Sequence, residues 1–282
     1  MSALPPAPIG NALLHSAFYR FTELPAPAQA AARLRALGAA LGDTFGGSIL
    51  VAPEGINGAV AGSPADVAAF EAALAHDPAF AGRFAGMAFK RSACATPPFA
   101  RLKVHVRPEA VAVGIPGASG LRAGGTALAP QDWRTLLARS DVVLLDNRNS
   151  FEHRLGHFRG ALDPGAAHFR DFPAYVQAHA PQWRAEGRPV AMYCTGGIRC
   201  EKTAAWMQDQ ELDVYQLAGG ILHYFAALPD AERDWVGECF VFDNRIALDT
   251  RLRETATTAE QVYDSPADAW RLARARRLMA AA

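Results

Sequence analysis

Residues 193–202 read Tyr-Cys-Thr-Gly-Gly-Ile-Arg-Cys-Glu-Lys, and this stretch is more informative about function than the rest of the chain. An apolar run, residues 189–193, precedes it, and a helical pattern begins near Glu201. Cys194 therefore lies where a buried strand ends and a helix begins. Backbone N–H groups of such a turn are unpaired and can surround an anion, so they and the helix dipole would stabilise a thiolate at Cys194.

The loop after Cys194 carries the residue types that a nucleophilic cysteine needs. A lone cysteine is usually a small buried hydrophobic residue, but a strand, a cysteine, two glycines, an arginine and a helix in this order favour a nucleophile. Arg199 closes the loop and is expected to hold an anion rather than to lie on the helix surface. Cys200 is either a second redox-active thiol or a packed residue of the first helical turn, and packing is the favoured alternative. The other loop residues are Thr195, expected to hydrogen-bond within the loop, Gly196, Gly197 and Ile198.

The bulk properties describe an ordinary globular protein. The length of 282 residues is sufficient for two domains, and 50% hydrophobic with 20% charged residues is the balance of a soluble chain. There is no run of about eighteen apolar residues that would form a transmembrane helix, and residues 1–6 lack the features of a secretory signal. We therefore expect a cytoplasmic protein that has no contact with membranes.

Cofactor signals are absent from the sequence. The cysteines form no C-x-x-C pair, so neither a disulfide framework nor a zinc site is expected. No G-x-G-x-x-G motif indicates a dinucleotide site, and His153 and His157, on either side of Gly156, are expected to be loop residues. We expect no metal and no evident organic cofactor. The cysteines are Cys94, Cys194, Cys200 and Cys239.

The charges balance overall but are unevenly distributed. Lysine and arginine total 28, as do aspartate and glutamate, and this zero net charge by itself argues against a strongly nucleic-acid-binding protein. The stretch from Arg83 to Arg107 contains no acidic residue, and a second basic cluster spans residues 271–277. Each is either a solvated surface, which composition alone favours, or a site for a phosphate backbone. The candidate nucleic-acid contacts are Lys90, Arg91, Arg101, Lys103 and Arg107.

The first part of the chain, residues 1–115, is predicted to form a small ferredoxin-like α+β domain. Its patterns follow the order β-α-β-β-α-β. Ser63 and Pro64 provide the cap and first turn of the second helix. Strands are predicted at 13–21, 48–52, 56–61, 88–92 and 102–107, and helices at 27–41 and from 64 onward.

The second part, residues 126–230, is predicted to be a doubly wound α/β domain with a largely parallel sheet. Short apolar strands alternate with helical patterns there, and Cys194 follows a strand at the edge where such sheets place their sites. Residues 231–282 form a C-terminal extension that packs back on this domain or reaches a partner. Strands are predicted at 142–146, 161–162, 190–193 and 214–217, and helices at 130–138, 172–179 and 201–210.

Three segments of the second domain resemble the signatures of rhodanese domains. Residues 145–152 (Leu-Asp-Asn-Arg-Asn-Ser-Phe-Glu) with 156–161 (Gly-His-Phe-Arg-Gly-Ala) are similar to the opening signature, 193–199 to the active-site loop, and 217–221 (Leu-Ala-Gly-Gly-Ile) to the closing segment. The resemblance implies a rhodanese-like fold in which Cys194 can carry a persulfide. It also implies that Asp146 and Arg148 are structural, with Arg148 paired to Glu152.

The length of the loop bears on the reaction. Four residues separate Cys194 from Arg199, whereas rhodanese-like phosphatases have a loop one residue longer, sized for phosphate. The resemblance therefore disfavours a phosphatase and implies sulfur chemistry.

A more extensive resemblance covers roughly residues 13–250. Residues 52–58 (Ala-Pro-Glu-Gly-Ile-Asn-Gly), 99–104 (Phe-Ala-Arg-Leu-Lys-Val), 194–202 and 238–245 (Glu-Cys-Phe-Val-Phe-Asp-Asn-Arg) together resemble the tRNA uridine hydroxylase family. The resemblance implies oxygen-dependent hydroxylation of the wobble uridine of tRNA at C5, with Cys194 essential and molecular oxygen as co-substrate. The chain departs from the family at Asn147, where Thr or Val is commoner, and in having no cysteine after Cys239.

The sequence and the resemblance together suggest a mechanism and two alternatives. The anticodon loop of tRNA would lie across the basic face of residues 83–107 and present an unstacked uridine to Cys194, which adds to C6 as thiolate or persulfide. One alternative is a sulfurtransferase that passes sulfur from thiosulfate or a protein donor to an acceptor. The other is a non-enzymatic persulfide sensor, which an intact Cys194 disfavours.

Overall fold

A five-stranded sheet with two helices on one face forms the first of two units in the computed structural model, which describes residues 13–279. Contacts divide these residues into 13–110 with 243–245, and 111–242 with 246–279. The predictions made for residues 1–6 lie outside the described residues. The elements of the first unit are β1 Leu13–Phe21, α1 Pro27–Ala39, β2 Gly46–Ala52, β3 Gly55–Gly62, α2 Pro64–His76, β4 Phe89–Cys94 and β5 Leu102–Val106.

The strand order of the first sheet is β4-β1-β3-β2-β5. The first four strands pair antiparallel, and β5 joins β2 in parallel. Apolar residues of the sheet pack against both helices in one core, in which Leu34, Phe70 and Ile49 are almost completely buried. The Ser63 hydroxyl accepts the Asp66 amide and caps α2, as predicted. The β-α-β-β-α-β order and this strand order confirm the ferredoxin-like domain.

The second unit contains a four-stranded parallel sheet between two layers of helices. The strands of this sheet and of two further two-stranded sheets in the unit are β6 Thr126–Leu128, β7 Val143–Asp146, β8 Gly156–Phe158, β9 Val190–Tyr193, β10 Val214–Leu217, β11 Trp235–Gly237, β12 Cys239–Phe240 and β13 Ala247–Leu248. Its helices are α3 Pro130–Leu137, α4 Ser150–Leu155, α5 Phe172–Ala185, α6 Ile198–Gln208, α7 Gly220–Ala227, α8 Ala259–Val262 and α9 Ala269–Met279.

The parallel sheet has the order β6-β10-β9-β7. Alternate residues of β7 and β9 enter separate cores: Leu145 and Met192 pack with α5 and α6, while Leu144 and Tyr193 pack with α3 and α7. Burial on both faces explains why these strands read as continuous apolar runs. The doubly wound parallel sheet is thus confirmed.

Several element predictions need correction. Residues 161–162 do not form a strand, because only Leu162 bridges to Leu145 before Pro164 and Gly165 turn the chain away. Helix α5 continues beyond 179 through Pro181, since Trp183 on its last turn is buried in the core. Helix α6 starts at Ile198, three residues before the predicted start.

Residues beyond 230 are integrated into the folded units. Strand β11 pairs with β8, and Trp235 is buried against Phe158 and Phe225. Residues 243–245 cluster with the first unit. The division into 1–115, 126–230 and 231–282 stays a prediction.

A buried ion pair lies at the end of β7, where Asp146 is the last residue of the strand. Arg148 Nε and Nη2 donate to the two carboxylate oxygens of Asp146 over 2.8 and 2.6 Å, and both side chains are fully buried. The Tyr193 hydroxyl also donates to Asp146, over 2.8 Å. The predicted pair of Arg148 with Glu152 is therefore wrong: Arg148 turns back on the carboxylate two residues before it, and Glu152 has another partner.

We expect Asp146→Asn to lower the free energy of unfolding of the second unit by about 3–5 kcal/mol, because the buried Arg148 guanidinium would lose its counter-charge. Urea unfolding followed by tryptophan fluorescence measures this unit, since it contains all five tryptophans of the chain. The matched control is Asp141→Asn, whose partner Arg139 is solvent-exposed, and its midpoint should not change. Equal midpoints for the two variants would contradict the role of the buried pair.

Candidate active site

Cys194 directly follows the central strand β9, at the carboxyl edge of the parallel sheet. In the ladder between β7 and β9, Asp146 pairs with Tyr193, and the Asn147 amide donates to the Tyr193 carbonyl over 2.8 Å. The loop of residues 194–197 then leads into α6, whose cap is Gly197 with a φ of 99°. That left-handed conformation favours glycine. The strand, loop and helix therefore follow one another as the motif predicts.

The N-terminus of α7 fixes the loop from one side. The amides of Ile221 and Leu222 donate to the carbonyls of Cys194 and Thr195 over 3.0 and 3.2 Å. Gly220 has a φ of 70°, and a Cβ there would lie 2.5 Å from the Cys194 carbonyl oxygen. Only glycine permits this approach. The Gly219-Gly220-Ile221 part of the closing segment thus holds the loop.

Donors converge on the buried sulfur of Cys194. The Gly197 amide donates to Sγ over 3.1 Å, and the amides of Arg199 and Cys200 are also directed at it. Burial raises the pKa of Cys194, but the Cys200 thiol, the Arg199 charge and these amides outweigh it and lower the pKa to about 6. Near neutral pH the side chain is therefore mainly a thiolate.

Cys200 packs in the first turn of α6, as favoured from the sequence, and also contacts the Cys194 sulfur. It is completely buried, and burial together with its hydrogen bond to Cys194 raises its pKa well above the usual value. It therefore remains a thiol and donates its hydrogen to the Cys194 thiolate. Asn147 hydrogen-bonds both Cys200 and the Thr203 hydroxyl, so the residue that departs from the family pattern supports this contact.

Arg199 is held beside the loop by Glu152. The two guanidinium nitrogens Nη1 and Nη2 donate to the Glu152 carboxylate over 2.9 and 3.3 Å, and both side chains are almost completely buried. The Asn149 amide donates to the same carboxylate over 3.1 Å, which orients it at the start of α4. Burial lowers the pKa of Arg199, and the Glu152 carboxylate raises it. The net result is a pKa above its usual value, so the guanidinium keeps its positive charge.

Two aromatic rings lie beside Arg199. The guanidinium carbon is 5.9 Å from the ring centre of Phe169 and 5.6 Å from that of Phe242. Sequence reasoning singled out neither ring. Phe242 lies inside the 238–245 motif, which was the available signal, while Phe169 lies in no motif.

Other predictions around the loop meet different outcomes. Among the described residues, the Thr195 hydroxyl is buried without a hydrogen-bond partner, so it does not bond within the loop as expected. Gly196 and Ile198 lie in the loop and in the first turn of α6. His153 is in α4 and His157 in β8, with stacked rings 4.1 Å apart, so the prediction of loop residues is wrong.

The basic residues predicted to contact tRNA lie at two different edges of the first sheet. Lys90 and Arg91 lie on β4 and Lys103 on β5, at opposite edges of the five-stranded sheet. Four inter-strand spacings separate these edges, about 19 Å. Strand order depends on non-local pairing, which the sequence pattern does not contain.

The individual cations also differ in their surroundings. Arg91 pairs with the buried Glu71, which also accepts a hydrogen bond from Ser16. The Lys90 amine lies 4.9 Å from the Tyr19 ring centre. Arg101 and Arg107 are exposed, and Lys103 is half-buried. Arg91 is therefore tied to the fold, whereas the group around β5 is more open.

The described residues contain neither a metal-binding cluster nor a membrane-spanning helix. Within 13–277, no group of three or more His, Cys, Asp or Glu side chains is arranged to hold a metal ion. In the described part of the chain, no helix combines the length and apolar character needed to cross a membrane.

Two protein families match the chain, one in each half. The UPF0176 acylphosphatase like domain matches residues 14–110, and the Rhodanese-like domain matches residues 129–227. The second match includes the Cys194 loop and the glycines of α7 that hold it.

Curated relatives resemble the chain over most of its length. A protein of Synechococcus elongatus named tRNA uridine(34) hydroxylase is 47% identical over 84% of this chain and 85% of the relative. Proteins of the same name from Nitrobacter winogradskyi and Deinococcus radiodurans are 43% and 44% identical, over 90% and 88% of this chain and 98% and 80% of the relatives. With its two matching domains, the chain belongs to the tRNA uridine(34) hydroxylase family.

Proposed function

We propose that this protein hydroxylates uridine 34 of tRNA at C5, with Cys194 as the nucleophile. The observation that carries the proposal is a cysteine of pKa about 6, enclosed by backbone amides, in a chain whose relatives bear that name. Uridine 34 is the wobble position, so the partner is the anticodon loop of tRNA and the place of action is the cytoplasm. DNA and membranes have no role in this proposal.

The chemistry begins with the attack of sulfur on the base. The Cys194 thiolate adds to C6 of uracil: the S–C6 bond forms, the C5=C6 π bond breaks, and its electron pair moves to C5 and the O4 carbonyl as an enolate. C5 thereby becomes nucleophilic and can take up an electrophilic oxygen. Loss of the C5 proton and departure of the thiolate restore the ring. A Cys194 persulfide could perform the same addition with its outer sulfur.

Molecular oxygen is the proposed co-substrate. One of its atoms is inserted into the C5–H bond, and the other is reduced to water. This reduction takes up two electrons and two protons, so the reaction also needs a two-electron donor. We propose two molecules of a small thiol for that role, because their oxidation to one disulfide releases the two electrons and two protons that reduce the second oxygen atom to water. Heavy-isotope oxygen gas should label the product, and labelled water should not.

The relatives favour this proposal over a sulfurtransferase. The three relatives named above carry the hydroxylase name, and the cations around β5 of the first unit suit a large anionic substrate. A thiolate in such a loop is compatible with both hydroxylation and sulfur transfer, so analysis of tRNA nucleosides is needed to distinguish them. Hydroxylated uridine identifies the hydroxylase, and thiosulfate-to-cyanide transfer without it identifies the alternative.

We expect Cys194→Ser to abolish the product, because a serine hydroxyl remains protonated where the thiol ionises. The measurement is mass spectrometry of tRNA nucleosides from a deletion strain complemented with wild type or with the variant. Thr195→Ser is the control, since it keeps the hydroxyl and leaves the amides that enclose the sulfur. Hydroxyuridine restored by Cys194→Ser would reject the covalent step.

We expect a thiolate to appear with a midpoint near pH 6 in ultraviolet titration, and the rate of hydroxylation to rise with pH over the same range. Cys200→Ala should raise that midpoint, because the thiolate loses a donor, whereas Cys200→Ser should retain a donor and shift it less. Cys194→Ser should remove the transition, since burial raises the pKa of Cys200 and of Cys239, the latter to about 12. A transition that survives Cys194→Ser would assign it to another group.

We propose that Arg101, Lys103 and Arg107 contact tRNA phosphates, with Lys90 and Arg91 forming a separate group at the other edge of the sheet. Replacing the first three by alanine should weaken tRNA binding and reduce the slope of log affinity against log salt by about two. Lys90→Ala should have a smaller effect, and Arg139→Ala, at an exposed pair in the second unit, none. An unchanged slope in the triple variant would reject the assignment.

A further inference from the structure

Phe242 is a large apolar side chain that is exposed to solvent. It is 60% exposed, more than any other large hydrophobic residue that the structure describes as exposed. Single exposed apolar residues are common and need no explanation by themselves. The surroundings of Phe242 make it different, because its position is fixed and the Arg199 guanidinium lies beside it.

A row of packed aromatic rings holds Phe242 in position. Its ring packs edge to face on Phe240, with centres 4.9 Å apart, and Phe240 packs in the same way on Phe151 at 5.0 Å. Tyr263 also contacts both inner rings. The Val241 amide donates to the Ile246 carbonyl over 2.8 Å, which fixes the backbone just before Phe242. The ring is therefore anchored by a buried cluster while its outer surface faces solvent.

The exposed ring lies next to the Cys194 loop. Its centre is 5.6 Å from the guanidinium carbon of Arg199, and Arg199 in turn lowers the pKa of Cys194. Arg199 itself cannot swing away, because Glu152 binds two of its nitrogens. A fixed aromatic surface thus lies beside a fixed cation, and that cation acts on the Cys194 sulfur.

We propose that Phe242 is the stacking surface for the target uracil when it leaves the anticodon stack. The inference rests on the proposed function and adds the residue that positions the base. An extruded base loses its stacking partners, and proteins that bind single-stranded RNA replace them with aromatic side chains. Stacking on the exposed surface of Phe242 would hold the uracil against the ring that contacts Arg199, the cation that acts on Cys194.

The first test separates the aromatic face from mere apolar bulk. Phe242→Leu should raise KM for an anticodon stem-loop about tenfold, with a smaller change in kcat, and Phe242→Tyr should restore KM. Val236→Ala, at another exposed apolar side chain of the same unit, should behave as wild type. An unchanged KM in Phe242→Leu, or a failure of Phe242→Tyr to restore it, would overturn the proposal.

The second test measures stacking without turnover. In the Cys194→Ser protein, a stem-loop with uridine at position 34 should bind about tenfold more tightly than one lacking that base. Adding Phe242→Leu should remove this difference and leave the affinity for the abasic stem-loop unchanged. A base-dependent difference that persists in the double variant would overturn the assignment.

These tests distinguish the inference from the proposed function. If the wild-type protein makes no hydroxyuridine, the proposed function fails whatever Phe242 does. If the wild-type protein makes hydroxyuridine and Phe242→Leu has the same KM and the same base dependence, only the stacking assignment fails.

Discussion

A negative charge on a buried sulfur is the constraint on which the second unit depends. Cys194 is 1% exposed, so water contributes little to stabilising its thiolate, and a buried charge without partners is strongly unfavourable. Protein groups replace water: the amides of Gly197, Arg199 and Cys200, the Cys200 thiol and the Arg199 charge. Each of these donors must itself be fixed in position, and the neighbouring helices provide the contacts that fix them.

The support extends outward in two directions. On one side, α7 donates two amides to the loop carbonyls, and Gly220 allows the backbones to approach. On the other side, Glu152 binds Arg199 and is oriented by the Asn149 amide at the start of α4. The three sequence signatures of the second unit therefore meet around one sulfur atom, although they are far apart in the chain.

Local features were predictable from the sequence and non-local ones were not. The strand before Cys194 and the helix after it follow from hydrophobic patterning, and the motif was sufficient to identify the amide-lined loop. The partner of Arg199 was missed because Glu152 and Asp146 both lie near Arg148 in sequence, and only packing decides which acid each arginine binds. The separation of Lys90 from Lys103 was missed because strand order in a sheet is set by distant pairings.

The motifs outside the loop hold the first unit together. The Asn57 side chain donates to the Ala110 carbonyl and Glu54 accepts the Ala110 amide, which fixes the point where this unit ends. Arg245 binds Asp243 and the Ser92 hydroxyl, joining a distant segment to β4.

His15 meets Asp243 in the same cluster, but burial and Arg245 lower its pKa to about 3, so it is neutral near pH 7 and the contact is not an ion pair. The charge of Asp243 is therefore balanced by Arg245 alone among the groups of this cluster. Within the 238–245 motif, Asp243 and Arg245 belong to this cluster, whereas Phe242 is exposed and packs on Phe240 in the second unit.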